Sequence, residues 1–134
     1  MLNKLNRNIQ IYQKALNASW LRNSAISNNI ANVNTPGYKR QDVEFESVLK
    51  DFINGGSHKI TTTHENHFPN SNFDSLEPTI SKESGTSFRK DDNNVNIDVE
   101  MAELAKNTIK FNALTSELSH HLNRIKMAIS NGGK

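Results

Sequence analysis

Along the first 33 positions, apolar residues recur at alternating steps of three and four. The series runs Leu2, Leu5, Ile9, Tyr12, Leu16, Ser19, Asn23, Ile26, Ile30 and Val33, with eight of the ten apolar. This is the seam of a helix built to lie along another helix. Its polar members, Ser19 and Asn23, fall mid-seam beside Trp20, the single tryptophan, and mark a register device or a bend. The rhythm returns at the other end as Met101, Leu104, Thr108, Phe111, Thr115, Leu118, Leu122, Ile125 and Ile129, with Ala102, Ala105, Leu114 and Ala128 widening the stripe. Asp98 reads as the N-cap of this second helix, Glu100 and Glu103 suit its positive end, and Asn131-Gly132-Gly133 ends it. Two long stripes at opposite ends of one chain invite pairing.

Between them the pattern thins. Asp42-Val43-Glu44-Phe45 alternates, and Val48, Leu49, Phe52 and Ile53 then take helical spacing, which predicts a short amphipathic helix ending at Asn54-Gly55-Gly56. Residues 54–94 hold only six apolar residues in 41, so this stretch buries little of itself and reads as a polar mobile loop with room for short strands. Val95, Ile97 and Val99 alternate as an extended lead-in to the last helix. The expected fold is therefore mainly α, a coiled-coil-like hairpin of long terminal helices with a short helix and a largely irregular centre. Its parts are 1–34, the N-terminal helix; 35–53, turn and short helix; 54–94, the loop region; and 95–134, the C-terminal helix.

Composition changes the picture in one direction. At 134 residues and 34% hydrophobic, the chain has a thin core for its length, so an elongated or partner-completed fold is expected. The formal charge of +2 is too balanced for an electrostatic nucleic-acid binder. Cysteine is absent, which excludes disulfides and thiolate metal sites. The N-terminus alternates where a secretory signal needs an unbroken apolar run, and no stretch approaches membrane-spanning length.

Residues 28–40 read NNIANVNTPGYKR. Asn is a mediocre helix former, because its amide competes for nearby backbone groups, so helix stability did not select Asn28, Asn29, Asn32 and Asn34. Pro36 disfavours helical geometry at Thr35 and stops the helix near Asn34. Pro36-Gly37 then supplies a type II turn that folds Tyr38 back onto the helix end. Amides on both sides of a helix packed all round suit bonds to neighbouring chains.

Other clusters read as ordinary surface chemistry. His64 and His67 flank Glu65 in the polar loop without a stiff frame for zinc. Asp92, Asn94, Asn96 and Asp98 mimic a calcium loop, but Ile97 stands where that loop needs glycine, so a cap and turn fits better. His120-His121 reads as surface or interface, and Lys39-Arg40 as a solvated pair. No catalytic, cofactor-binding or metal-binding constellation is expected.

The run Asn28-Asn29-Ile30-Ala31-Asn32-Val33-Asn34-Thr35-Pro36-Gly37-Tyr38-Lys39 closely resembles the signature of bacterial flagellar rod and hook proteins. Asp42-Val43-Glu44-Phe45 and Asn94-Val95-Asn96-Ile97-Asp98-Val99-Glu100-Met101-Ala102 are similar to segments of that family's proximal-rod branch. About half the chain is covered, with little in 54–94. Distal-rod and hook members insert a large β domain for which this length has no room. A sibling small rod protein of the proximal rod is the alternative within the family, but Asn107-Thr108-Ile109-Lys110-Phe111 lacks its Arg-Ala-Tyr-like element.

The resemblance implies a structural subunit of the flagellar basal body whose terminal helices pack into a hollow, torque-transmitting rod across the cell envelope. Its implied partners are copies of itself, other flagellar rod proteins, basal adaptor and ring proteins, and the flagellar type III export apparatus, which passes subunits without a cleaved signal peptide. Nucleic acid, membrane insertion and cofactors have no part. The assembly motif would be Asn28 to Asn32 together with Asn34, Thr35, Pro36, Gly37 and Tyr38. The assembly seam would be Leu5, Ile9, Tyr12, Leu16, Ile26, Val33, Met101, Leu104, Phe111, Leu118, Leu122 and Ile125. Outside the family, a coiled-coil adaptor accounts for the seams, and an enzyme would rest only on the loop histidines.

Overall fold

The computed structural model describes residues 2–53, 77–83 and 91–131. Side chains are described from residue 8 onward and, in the short helix, only to residue 50. His64 and His67, with most of the expected polar loop, lie outside the described residues.

Helix α1 spans Leu2–Ala31 and helix α3 spans Ile97–Asn131, 30 and 35 residues that extend about 45 and 52 Å at 1.5 Å per residue. They lie antiparallel as a hairpin. Strand β1 (Gln41–Glu44), helix α2 (Glu46–Ile53) and strand β2 (Thr79–Lys82) form a layer on one side of it. The strands pair antiparallel, with Val43 opposite Ile80. Thus β2 lies within the expected loop, where the sequence left room for a strand.

The hairpin follows from the repeated 3-4 spacing, but on each helix one of the two seam rows turns outward and the row one residue before it turns inward. On α3 the inward row combines Leu104, Leu118 and Ile125 with Glu100, Asn107, Leu114 and His121. Glu100 and Asn107 are buried, whereas Met101, Thr108, Thr115 and Leu122 are exposed. On α1, Ser19, Ile26 and Asn29 are buried while Asn23 is exposed. Of the two mid-seam polar residues, Ser19 is buried and its backbone carbonyl, a group any residue there would supply, accepts a 2.8 Å bond from Asn107 Nδ2. Further along, Tyr12 meets His121 edge to face, ring centres 6.1 Å apart. A polar row on the inside leaves an apolar row outside.

The small core lies where α1 meets the layer. Phe45 packs on Ala18, flanked by Ala15, Val48 and Leu49, and Val43 and Val95 are also buried. Removing one such side chain from water is worth about 1.5–3 kcal/mol. Alanines on α1 allow the close approach. An ion cluster then ties three helices together. Arg22 of α1 donates a bidentate pair to Glu46 of α2 and a 2.6 Å bond to the Val43 carbonyl, while Lys110 of α3 reaches Glu46 at 3.2 Å. The Arg22 hydrogen bonds hold the Glu46 carboxyl at about 2, against an ordinary 4.5.

Candidate functional site: the polar junction at the signature turn

The regular part of α1 ends at Ala31, and a further turn carries the chain through Asn34. The Tyr38 N–H bonds the Thr35 carbonyl at 3.3 Å and Gly37 has φ +70°, as a type II turn over Pro36-Gly37 requires. The Gly37 N–H donates to the Asp91 carbonyl at 2.8 Å, which docks the turn on the lead-in to α3.

Asn29 is fully buried and uses both ends of its amide. Its Nδ2 donates to the Gln41 carbonyl at 2.8 Å and to Glu100 at 3.0 Å. Its Oδ1 accepts from the Gln41 N–H at 2.9 Å and the Tyr38 hydroxyl at 3.1 Å. The amide therefore pairs with both backbone groups of Gln41, as a strand neighbour would.

Glu100, also fully buried, accepts a 2.6 Å bond from Arg40 Nε. Arg40 further reaches Glu83 at 2.8 Å and Asp42 at 3.4 Å. Burial pushes the Arg40 guanidinium down, but the hydrogen bond and charge of Glu100, joined by Asp42 and Glu83, leave it raised above its ordinary value. Tyr38 is pushed up by burial and by the charge of Glu100, so its hydroxyl stays a donor to Asn29. The expected solvated pair Lys39-Arg40 is thus corrected: Arg40 is the counter-ion of a buried carboxylate, and Lys39 bonds the Asp92 carbonyl at 2.8 Å.

Asn93 closes the end of α1. Fully buried, it donates to the carbonyls of Asn32, Val33 and Thr35 at 3.0, 3.1 and 2.8 Å, where Asn32 also accepts the Thr35 N–H and Thr35 the Tyr38 N–H. Its Oδ1 accepts the Val95 N–H at 2.8 Å. Asn94 joins the Arg40 N–H, at 2.7 Å, to the Glu83 carbonyl, at 3.1 Å. Asn96 Oδ1 accepts the Asp98 N–H at 2.9 Å, so Asn96 caps α3 in place of the expected Asp98, and Ile97 and Val99 are helical instead of extended.

The remaining motif residues face outward. Asn32 bonds its own helix at the Asn28 carbonyl, 2.8 Å away, and accepts the Thr35 hydroxyl at 3.2 Å. Asn28, Ala31, Asn34, Thr35 and Pro36 are exposed, and Ile30 is half-buried. Among the seam residues, Ile9, Tyr12, Leu16, Val33, Leu104, Leu118 and Ile125 are half-buried, Ile26 is buried, and Met101, Phe111 and Leu122 are exposed. Leu5 lies in α1, its side chain outside those described. The Arg40–Glu100 pair and Asn93 escaped the sequence reading. The one signal available was Glu100, a glutamate in the first turn of a helix immediately before its apolar seam.

The buried side chains of Asn29, Asn93 and Glu100 each find partners within the junction, and among the described residues no three His, Cys, Asp or Glu are grouped to hold a metal. Fold and junction define a structural element, a long helical hairpin locked at the turn. The pattern described as "Flagella basal body rod protein" matches residues 9–39, through α1 and the turn. The chain is 34% identical to the flagellar basal body rod protein FlgB of Bacillus subtilis over 92% of this chain and 94% of that protein. It is 29% identical to FlgB of Borreliella burgdorferi, covering 96% of this chain and 99% of that protein. Against FlgB of Escherichia coli it is 28% identical over 98% of this chain and 99% of that protein.

The chain belongs to the FlgB family of flagellar basal body rod proteins, structural subunits of the rod. The sibling small rod protein is not favoured by these relatives.

Proposed function

We propose that this chain builds the proximal rod by packing its terminal helices against those of neighbouring subunits, giving a hollow shaft that transmits motor torque. Its neighbours are copies of itself, other rod proteins, and the adaptor and ring proteins at the rod base. It reaches them through the flagellar type III export apparatus without a cleaved signal peptide, and acts without catalysis or cofactor. Among the described residues, no helix is long and apolar enough to cross a membrane.

The observation that carries this reading is the outer row of α3, where Met101, Leu122 and Ile129 stand 54%, 47% and 74% exposed. A subunit that kept its apolar residues for itself would turn the row of Met101 and Leu122 inward in place of Glu100 and Asn107. Thr108 and Thr115 stand between Met101 and Leu122 on this row, and large apolar side chains left exposed along one helix face mark contact surfaces. Outward seam members and the exposed Asn28 and Asn34 are then the residues that meet other chains.

Purified basal bodies test the proposal. The chain should be present in them, and Leu122→Asp should be exported yet fail to incorporate, abolishing motility. Absence of the native chain from basal bodies would overturn the rod assignment.

A further inference from the structure

Trp20 is the single tryptophan of the chain, and it stands 69% exposed on α1. Its neighbours one turn away, Leu16, Asn17, Asn23 and Ser24, carry no charge, so the indole projects from a neutral stretch of helix. A large aromatic ring on charge-depleted ground is the common anchor of a protein contact. An anchor needs a socket.

The hairpin carries one on its other side. Where α1, α2 and α3 meet there is a groove of about 560 Å3, within the range of about 300–1,000 Å3 that holds a compact ligand. Ala15, Ala18, Phe45, Ala113 and Leu114 make its apolar wall, and the small alanines leave the room. Ala15 and Leu114 are only half-buried and Ala113 is exposed, so water reaches this wall. Its charged members Glu46, Lys110 and Glu117 are exposed and mark the rim, with Arg22 turned onto Glu46.

Knob and groove match in chemistry. The indole offers apolar faces to the alanines and one donor, Nε1–H, that needs an acceptor once buried. The Glu46 and Glu117 carboxylates supply acceptors at the rim, and Lys110 supplies a cation for the ring face. They also match in position. Trp20 lies two residues from both Ala18 and Arg22, and two residues are about 200° of helix, so it points nearly opposite to both. The α1 residues of the groove run from Tyr12 to Arg22, a span that includes Trp20, so knob and groove share one level of the hairpin. A chain cannot close this contact on itself, whereas a copy set beside it can.

We propose that Trp20 of one copy seats in the alanine-walled groove of the next, joining subunits side by side. The proposal rests on the rod reading and names a contact within it. Two different surfaces of the same chain meet, so every copy adds a free knob and a free groove, and the contact repeats around a ring or a helical turn.

The chain has no native cysteine, so paired thiols report this contact. Asn17, one turn from Trp20, and Ala113, on the groove wall, are both exposed. Circular dichroism of Asn17→Cys, Ala113→Cys and the double variant should therefore match the native chain. Basal bodies from the three strains would be treated with a bis-maleimide. The double variant should give a ladder of linked chains, and neither single variant should. No ladder from the double variant, or links between copies in a single variant, would overturn the proposal. A link from Ala113→Cys to a protein of another mass would give the groove to that partner and overturn it as well. Should the thiol variants not enter rods, two bulk changes decide. Trp20→Ala, which removes the knob, and Ala113→Trp, which fills the groove, should each be exported and keep the native circular dichroism yet fail to enter rods. Full entry of either would overturn the contact and leave the rod assignment standing. Absence of the native chain from basal bodies would remove the assignment and the proposal with it.

Discussion

Asn29 and Glu100 lie 71 residues apart in the sequence, yet both are fully buried and share a 3.0 Å hydrogen bond from amide to carboxylate. That bond joins the end of the first helix to the first turn of the last, and Arg40 completes it from β1. The signature's most buried asparagine works inside the subunit, holding two helices whose free face then has a defined shape.

Asparagines one residue apart should therefore behave differently. Asn29→Ala leaves Glu100 and both backbone groups of Gln41 short of partners and should cost about 1–3 kcal/mol of subunit stability. Asn28→Ala, on the exposed side, should stay within about 0.5 kcal/mol. Urea denaturation of the dilute proteins measures both.

Asn93 offers a sharper contrast. Asn93→Ala removes a buried amide whose donors are shared among three carbonyls at the helix end and should cost about 1–3 kcal/mol. Asn93→Asp keeps the acceptor for Val95 but sets a carboxylate against those carbonyls, so it should destabilise more than alanine. Equal effects would show that the carbonyls are not held by this side chain.

At Gly37 nothing lies within 4 Å of an added Cβ, so only backbone conformation resists substitution. With φ at +70°, Gly37→Ala should cost about 1–2 kcal/mol, Gly37→Asn less and Gly37→Val more. Thermal unfolding of the three variants gives the order.

Glu46 supplies a pH dependence with a fixed sign. Its folded-state value is depressed to about 2 from 4.5, chiefly by the Arg22 hydrogen bonds. The stabilisation is present above about pH 4.5 and is lost as pH falls toward 2. The side chain is 53% exposed, so solvent screening limits the effect to about 1 kcal/mol. Urea midpoints between these limits should fall less in Glu46→Gln than in the native chain.

The long helices, the short α2 and the type II turn were legible because each rests on local pattern: 3-4 spacing, or Pro-Gly after a helix. Which row turns inward was not legible. Apolar periodicity selects Met101 and Leu122, whereas the hairpin buries Glu100 and Asn107, whose partners are 71 and 88 residues away. Long-range pairing leaves no periodic trace. For the same reason Arg40 read as solvated, and β2 could not be matched to β1. Asn96 and Asp98 are both competent caps two residues apart, so only the backbone decides between them.

A double-mutant cycle on Arg40 and Glu100 in the dilute monomer tests most directly the claim that the signature turn is locked within one chain. Arg40→Met and Glu100→Leu, singly and together, would be compared by urea denaturation. The account predicts that each single variant strands a buried or half-buried charge and that the double variant recovers part of the loss, with a coupling of about 0.5–3 kcal/mol. Additive losses with no coupling would contradict it and place the formation of this junction in the assembled rod.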